Sequence, residues 1–147
     1  IVIIIIGILA GMMMLATGSA TDKAEATKIV ANLRNVKAAA MMYYADNGSY
    51  PAAFDFTGTG TAGQVTGSMD SYLDRDPGAG YGVVVDNTHA YAYYGSVTST
   101  GIQDKLAEIA SKSGLYGNAS KAVPTAQGDS KTIGNYNKEA YVLMAIK

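Results

Sequence analysis

One histidine, a loose group of aspartates and a tract of glycines are the residues of this chain that could do chemistry. His89 is the sole imidazole, the side chain whose ordinary pKa suits proton transfer near neutral pH or metal ligation. The chain has no cysteine, and His89 follows no nucleophile elbow and has no ordered acid partner in sequence, so a Ser-His-Asp triad has nothing to build on. Asp70, Asp74, Asp76 and Asp86 lie near one another but do not follow the DxDxDG alternation of a calcium loop. They read as solvated loop carboxylates, with Asp76 opening the turn Asp76-Pro77-Gly78. The glycines from Gly58 to Gly67 lack the GxxxxGK[ST] spacing and the strand-to-helix setting of a phosphate loop. The expectation is a non-enzyme with no catalytic residue, no metal and no cofactor.

The remaining composition points the same way. Eleven basic and twelve acidic residues leave a net charge of −1, with no basic footprint for nucleic acid and no polybasic stretch for anionic lipid. Tyrosine supplies eleven of the aromatic residues against two phenylalanines. Tyr43, Tyr81, Tyr91, Tyr93 and Tyr141 are expected at a helix–sheet interface, ring buried and hydroxyl wet. Asn47-Gly48-Ser49 and Asn118-Ala119-Ser120 fit a short glycosylation sequon, a weak signal.

The elements that hold these residues begin with a segment that is itself the strongest signal. Residues 1–16 read IVIIIIGILAGMMMLA, and the first ionisable side chain is Asp22. About twenty residues at 1.5 Å each span roughly 30 Å, the thickness of a bilayer's hydrocarbon core. A helix apolar all round must be buried all round, so this stretch belongs in lipid, in a helical assembly, or in a segment removed on export. Gly18-Ser19-Ala20 offers small residues for a signal peptidase, but no basic region precedes the tract and the helical pattern runs straight through that site. Ile29, Leu33, Val36, Ala40 and Tyr43 recur at helical spacing and mark a second, amphipathic half, while Lys28, Asn32, Arg34, Asn35 and Lys37 take the other sides. On this reading Asn32 is exposed. The stop is Ala45-Asp46-Asn47-Gly48, giving one helix of about 45 residues, close to 68 Å long.

IVIIIIGILAGM, an amphipathic second half, and then YYADNGSYP together resemble the N-terminal region of type IV pilins and of type II secretion pseudopilins. The match spans roughly residues 1–51. Aligning on Gly7 implies that about seven family residues precede Ile1, a methylated Phe and a Glu among them. Where many members carry a proline about eight residues after that glycine, this chain has Leu15.

Beyond residue 51 the chain reads as an α+β domain, one long helix across a small antiparallel sheet. Residues 46–80 form a long connection, Gly-, Thr- and Ser-rich from 57 to 68, with one helical turn at Ser71-Tyr72-Leu73. Strands are expected at 81–85 and 90–94 around a hairpin loop at 86–89, with Tyr91 and Tyr93 on one face and Ala90, Ala92 and Tyr94 on the other. A helix over 101–113 carries the stripe Ile102, Leu106 and Ile109, capped by Ser99 or Thr100 and stopped by Gly114. Residues 114–136 read as loop. The last strand, 139–147, has Tyr141, Leu143 and Ala145 on one face and Val142, Met144 and Ile146 on the other, both partly covered.

The resulting division is residues 1–21 as a transmembrane or filament-core helix half, and 22–147 as a globular domain with helix 22–45, connection 46–80 and sheet region 81–147. Ile1, Val2, Ile3, Ile4, Ile5, Ile6, Ile8, Leu9, Met12, Met13 and Leu15 are the expected lipid- and core-facing residues. Gly7, Gly11 and Gly18 fit two readings: close helix–helix contact, or loosening of the helix, since glycine costs about 1 kcal/mol against alanine in a helix interior. The resemblance implies a major pilin, stored in the bacterial inner membrane and then polymerised with copies of itself by a pilus assembly machinery into a surface filament. Two alternatives stand beside it: a type II secretion pseudopilin, and a membrane-anchored surface binding domain that never polymerises.

Overall fold

The computed structural model describes residues 1–56, 69–85, 89–119 and 136–146, and every side chain among them except those of Leu15, Ala16, Phe54 and Asp70. The expected loop at 57–68, the hairpin loop at 86–88 with Asp86, Ser120 of the second sequon, most of the expected loop 114–136 and the final Lys147 fall outside the described residues.

The first helix, α1, runs unbroken from Val2 to Asn47, 46 residues. It contains no proline, and its three threonines at 17, 21 and 27 turn their hydroxyls back onto the carbonyls of Met13, Thr17 and Lys23 at 2.7, 3.0 and 2.8 Å, which satisfies them within the helix. Gly48 ends it in the left-handed conformation (φ 71°), with its N–H donating to the Tyr44 carbonyl at 2.8 Å, a conformation that side-chain-bearing residues adopt at a cost.

Next come β1 (Phe54–Asp55), a 3-10 turn (Asp70–Tyr72), β2 (Tyr81–Val85), β3 (Ala90–Gly95), α2 (Thr100–Ser113), β4 (Leu115–Asn118) and β5 (Tyr141–Ala145). The five strands form one sheet in the order β1-β2-β3-β5-β4, antiparallel throughout. β4 corrects the expectation of a loop there: Leu115-Tyr116-Gly117-Asn118 pairs with β5 from Leu115 opposite Met144 to Asn118 opposite Tyr141. The short β1 likewise adds an edge within the connection expected to be loop.

The sheet has two covered faces. Toward α1 it presents Tyr81, Val83, Ala90, Ala92, Val142, Met144 and Ile146, packed with Ile29, Leu33, Val36, Ala39 and Ala40 of the helix and with Leu106 and Ala110 of α2. Alanines on both sides of this interface let the helix axis lie close to the sheet. On the far face Tyr91, Tyr93, Tyr116 and Leu143 form a second buried cluster joined by Tyr141. Tyr91 and Tyr116 meet edge to face at 5.8 Å, and Tyr93 meets Tyr141 at 6.2 Å. Tyr91, Tyr93 and Tyr141 therefore do not sit between helix and sheet as expected. The alternation was read correctly, but the alanine parity faces the helix, because the shorter side chains admit it.

A candidate assembly surface on the first helix

Every side chain described from Ile1 to Met14 is exposed, Ile1 to 95 %, Ile3 to 85 % and Met14 to 83 %. That set includes Val2, Ile4, Ile5, Ile6, Ile8, Leu9, Met12 and Met13; the Leu15 side chain lies outside those described. By length and composition α1 is able to cross a membrane, and none of its apolar window is buried within the chain. A Cβ placed on Gly7, Gly11 or Gly18 would meet no atom within 4 Å, so nothing among the described residues requires glycine at the three positions. The helix continues through all of them.

The domain's own packing begins at Asp22. Its carboxylate lies against Gly101 in the first turn of α2, so close that a Cβ on Gly101 would collide with it, and a carboxylate there faces the positive end of the α2 dipole. From Ala26 onward one face of α1 closes: Ile29, Leu33, Val36 and Ala40 are buried, and Tyr43 is partly buried, its ring edge-on to Tyr72 at 5.7 Å. Asn32, expected on the exposed side, is buried. Its amide donates to the Pro77 carbonyl at 3.3 Å and bonds the Tyr81 hydroxyl, so the loop past residue 72 roofs a position that the helix alone would leave wet. Burial pushes the Tyr81 phenol up to about 12 against the Asn32 bond that lowers it.

Two grooves flank this second half of α1. The first, about 520 Å³, lies between Asn32, Asn35, Ala38 and Met42 and the segment from Tyr72 to Pro77. Tyr72 of this lining donates its hydroxyl to Asp46 at 2.8 Å, which raises the Tyr72 pKa. Asp76 accepts the Gly78 N–H at 2.7 Å, the turn expected of it. The second groove, about 410 Å³, lies on the opposite flank between Arg34 and Lys37 and the junction of α2 with β4. Met41 and Met42, each half exposed, went unnoticed in the sequence because they fall outside the buried stripe; two consecutive methionines off that stripe are the signal that marks them.

No set of three or more histidine, aspartate or glutamate side chains clusters as metal ligands would among the described residues. His89 is exposed, stacked near Tyr91 at 6.3 Å; Asp74 is exposed, and Asp86 and the Asp70 side chain lie outside the description.

Among solved structures, the chain is similar to the major type IV pilin PilA1 from Clostridium difficile, with a TM-score of 0.56 and 18 % identity, over 87 % of this chain and 98 % of that one. No protein-family model matches the chain, and no curated protein matches it. At that identity the likeness is one of fold: a long N-terminal helix with an apolar first half, laid on an antiparallel sheet.

Proposed function

We propose that this chain is the structural subunit, a major pilin, of an extracellular type IV pilus-like filament. Residues 1–21 anchor it in the bacterial inner membrane before assembly, and residues 22–147 form the globular part displayed on the fibre. The observation that carries the reading is the exposed apolar half of α1 on a domain whose core closes without it. Each Ile or Leu left in water forgoes roughly 1.5–3 kcal/mol, so a helix of this kind leaves lipid only for a second apolar environment. Copies of the same helix supply one. A helix also satisfies its own backbone in both settings, and Thr17, the first hydroxyl of the chain, already bonds the Met13 carbonyl. Polymerisation needs no catalytic group and no cofactor; its partners are further copies and the machinery that extracts them.

Shear fractions from the native cells, probed with antibody to the globular part, test this. Filaments built of this chain are expected, with Ile3 to Ile6 shielded from solvent in a helical reconstruction. Recovery of the chain solely as a monomer in the membrane fraction would overturn the proposal.

A further inference from the structure

Tyrosine rings meet at several places among the described residues, and one meeting differs from the rest. Tyr44, in the last turn of α1, and Tyr50, just past its stop, have ring centroids 4.5 Å apart and planes within 25° of parallel. Tyr44 is 40 % exposed and Tyr50 is only partly buried, so both rings are reachable by an oxidant from solvent. Elsewhere access or stacking fails. Tyr81 lies 4.5 Å from Tyr94 but is buried, and Tyr91 and Tyr116 are both buried and meet edge to face. Tyr93, beside Tyr141, is buried too. Tyr43 meets Tyr72 at 73°, and the Tyr72 hydroxyl is engaged by Asp46. The Tyr44–Tyr50 stack exists because Gly48 turns the chain in the left-handed conformation and brings Tyr50 back onto the helix end. It lies about 35 Å along α1 from Thr21, clear of the apolar half.

We propose that Tyr44 and Tyr50 are an oxidative modification site, at which a one-electron oxidant of the haem peroxidase class, with hydrogen peroxide as terminal acceptor, joins the two rings as dityrosine. Each phenol gives up one electron and one proton, and the unpaired spin spreads onto the carbons ortho to oxygen. A bond forms between one Cε carbon of each ring. The hydrogen on each of those carbons leaves as a proton while each oxygen regains one, so both rings return to phenols. The two electrons and two protons given up reduce one hydrogen peroxide to two waters, and the product has lost two hydrogens. Stacking keeps the rings in contact, which makes the coupling intramolecular and favours it over encounters between exposed tyrosines of separate chains. The bond closes residues 45–49 into a loop at the helix stop and holds the end of α1 against fraying.

Asn47-Gly48 is the only Asn-Gly step in the chain and lies between the two rings, and hydroxylamine cleaves Asn-Gly bonds in denatured protein. Untreated chain should therefore split into residues 1–47 and 48–147. The full chain in detergent, kept dilute and treated with a haem peroxidase and hydrogen peroxide, should give monomers lighter by two hydrogens. On a denaturing gel these should stay at full length after hydroxylamine. Tyr44→Phe and Tyr50→Phe should each lower that resistant fraction about tenfold or more, since one ring then has no stacked phenol to couple with. Tyr43→Phe and Tyr94→Phe should leave it unchanged, and circular dichroism serves as the control for folding. Met41 and Met42, each half exposed, are oxidised by peroxide to sulfoxides; that reaction adds oxygen and leaves the hydroxylamine cut intact, so the two products separate by mass and by gel. Oxidised monomers that all split at Asn47-Gly48 would overturn the proposal, as would a resistant fraction that survives both Tyr44→Phe and Tyr50→Phe, or dityrosine confined to covalent dimers.

Discussion

From Ile1 to Met14 all sides of α1 are exposed, whereas from Ala26 to Ala40 one face of the same helix is closed against the sheet and α2. Both stretches share one hydrogen-bond ladder, although the first, rich in β-branched residues and glycine, has the weaker helix propensity. What separates them is which partner completes each. The second half finds its apolar partner within the chain, through the spacing of Ile29, Leu33, Val36 and Ala40. The first half is apolar in every direction, which no single sheet face can satisfy, and its described side chains stay exposed. Stability belongs to one half, and on the function proposed above assembly belongs to the other.

The sharpest way to break that comparison is a charge in each half. Leu33→Asp puts a carboxylate at a position with no exposure and should cost about 3–5 kcal/mol, read as a lower urea midpoint of the detergent-solubilised chain. Ile5→Asp should leave that midpoint unchanged while reducing retention in the membrane fraction. Equal shifts for the two would mean that the halves are not separable.

A smaller effect sharpens the edge of the buried face. Asn32→Ala removes the bonds to the Pro77 carbonyl and the Tyr81 hydroxyl and should cost about 1–3 kcal/mol. Asn35→Ala, exposed one turn along the same flank, should stay within about 0.5 kcal/mol. This pair also shows where sequence reasoning stopped. Periodicity places Leu33 inside because its neighbours at three and four residues are apolar too. Asn32 is covered by Pro77, 45 residues away, and no local pattern carries that information. β4 hid for a related reason: four residues that include Gly117 and Asn118 resemble a turn, and only pairing with β5 makes them a strand. The tyrosines were legible by parity but not by face, since alternation says which residues share a side and not which side meets the helix. The unbroken α1, β2, β3 and α2 were legible because each carries its own period and its own stop.

Alkali probes the buried tyrosines on both faces of the sheet more gently. Burial raises the phenols of Tyr81, to about 12, and of Tyr136 and Tyr116. A phenol whose folded pKa lies above its unfolded value near 10 favours folding fully below pH 10, and that contribution is lost as pH rises toward the folded pKa. The urea midpoint should therefore hold from neutral pH to about 10 and fall above it. Tyr81→Phe should flatten part of that fall. Substitutions at Ile3 or Ile5, in the half with no buried titratable group, should leave the profile unchanged.

The smallest expected effect on the domain falls at the glycines of the first half, and there the ranking of substitutions carries the argument. Gly11 has open space where a Cβ would stand, so Gly11→Ala should move the domain's midpoint by less than about 0.5 kcal/mol. In the filament two mechanisms rank replacements differently. If Gly11 lets neighbouring helices approach, size governs: alanine and serine, both small, should be tolerated far better than valine. If Gly11 lets the helix loosen locally, propensity governs instead. Alanine, the strongest helix former, should then reduce assembly most, and serine and valine, each weaker by about half a kcal/mol, should be milder. Filament yield across Gly11→Ala, Gly11→Ser and Gly11→Val separates the two, because valine is the worst outcome for contact and alanine the worst for loosening. Equal yields for all three would mean that the glycine serves neither, and that the apolar character of the first half alone sets its part in assembly.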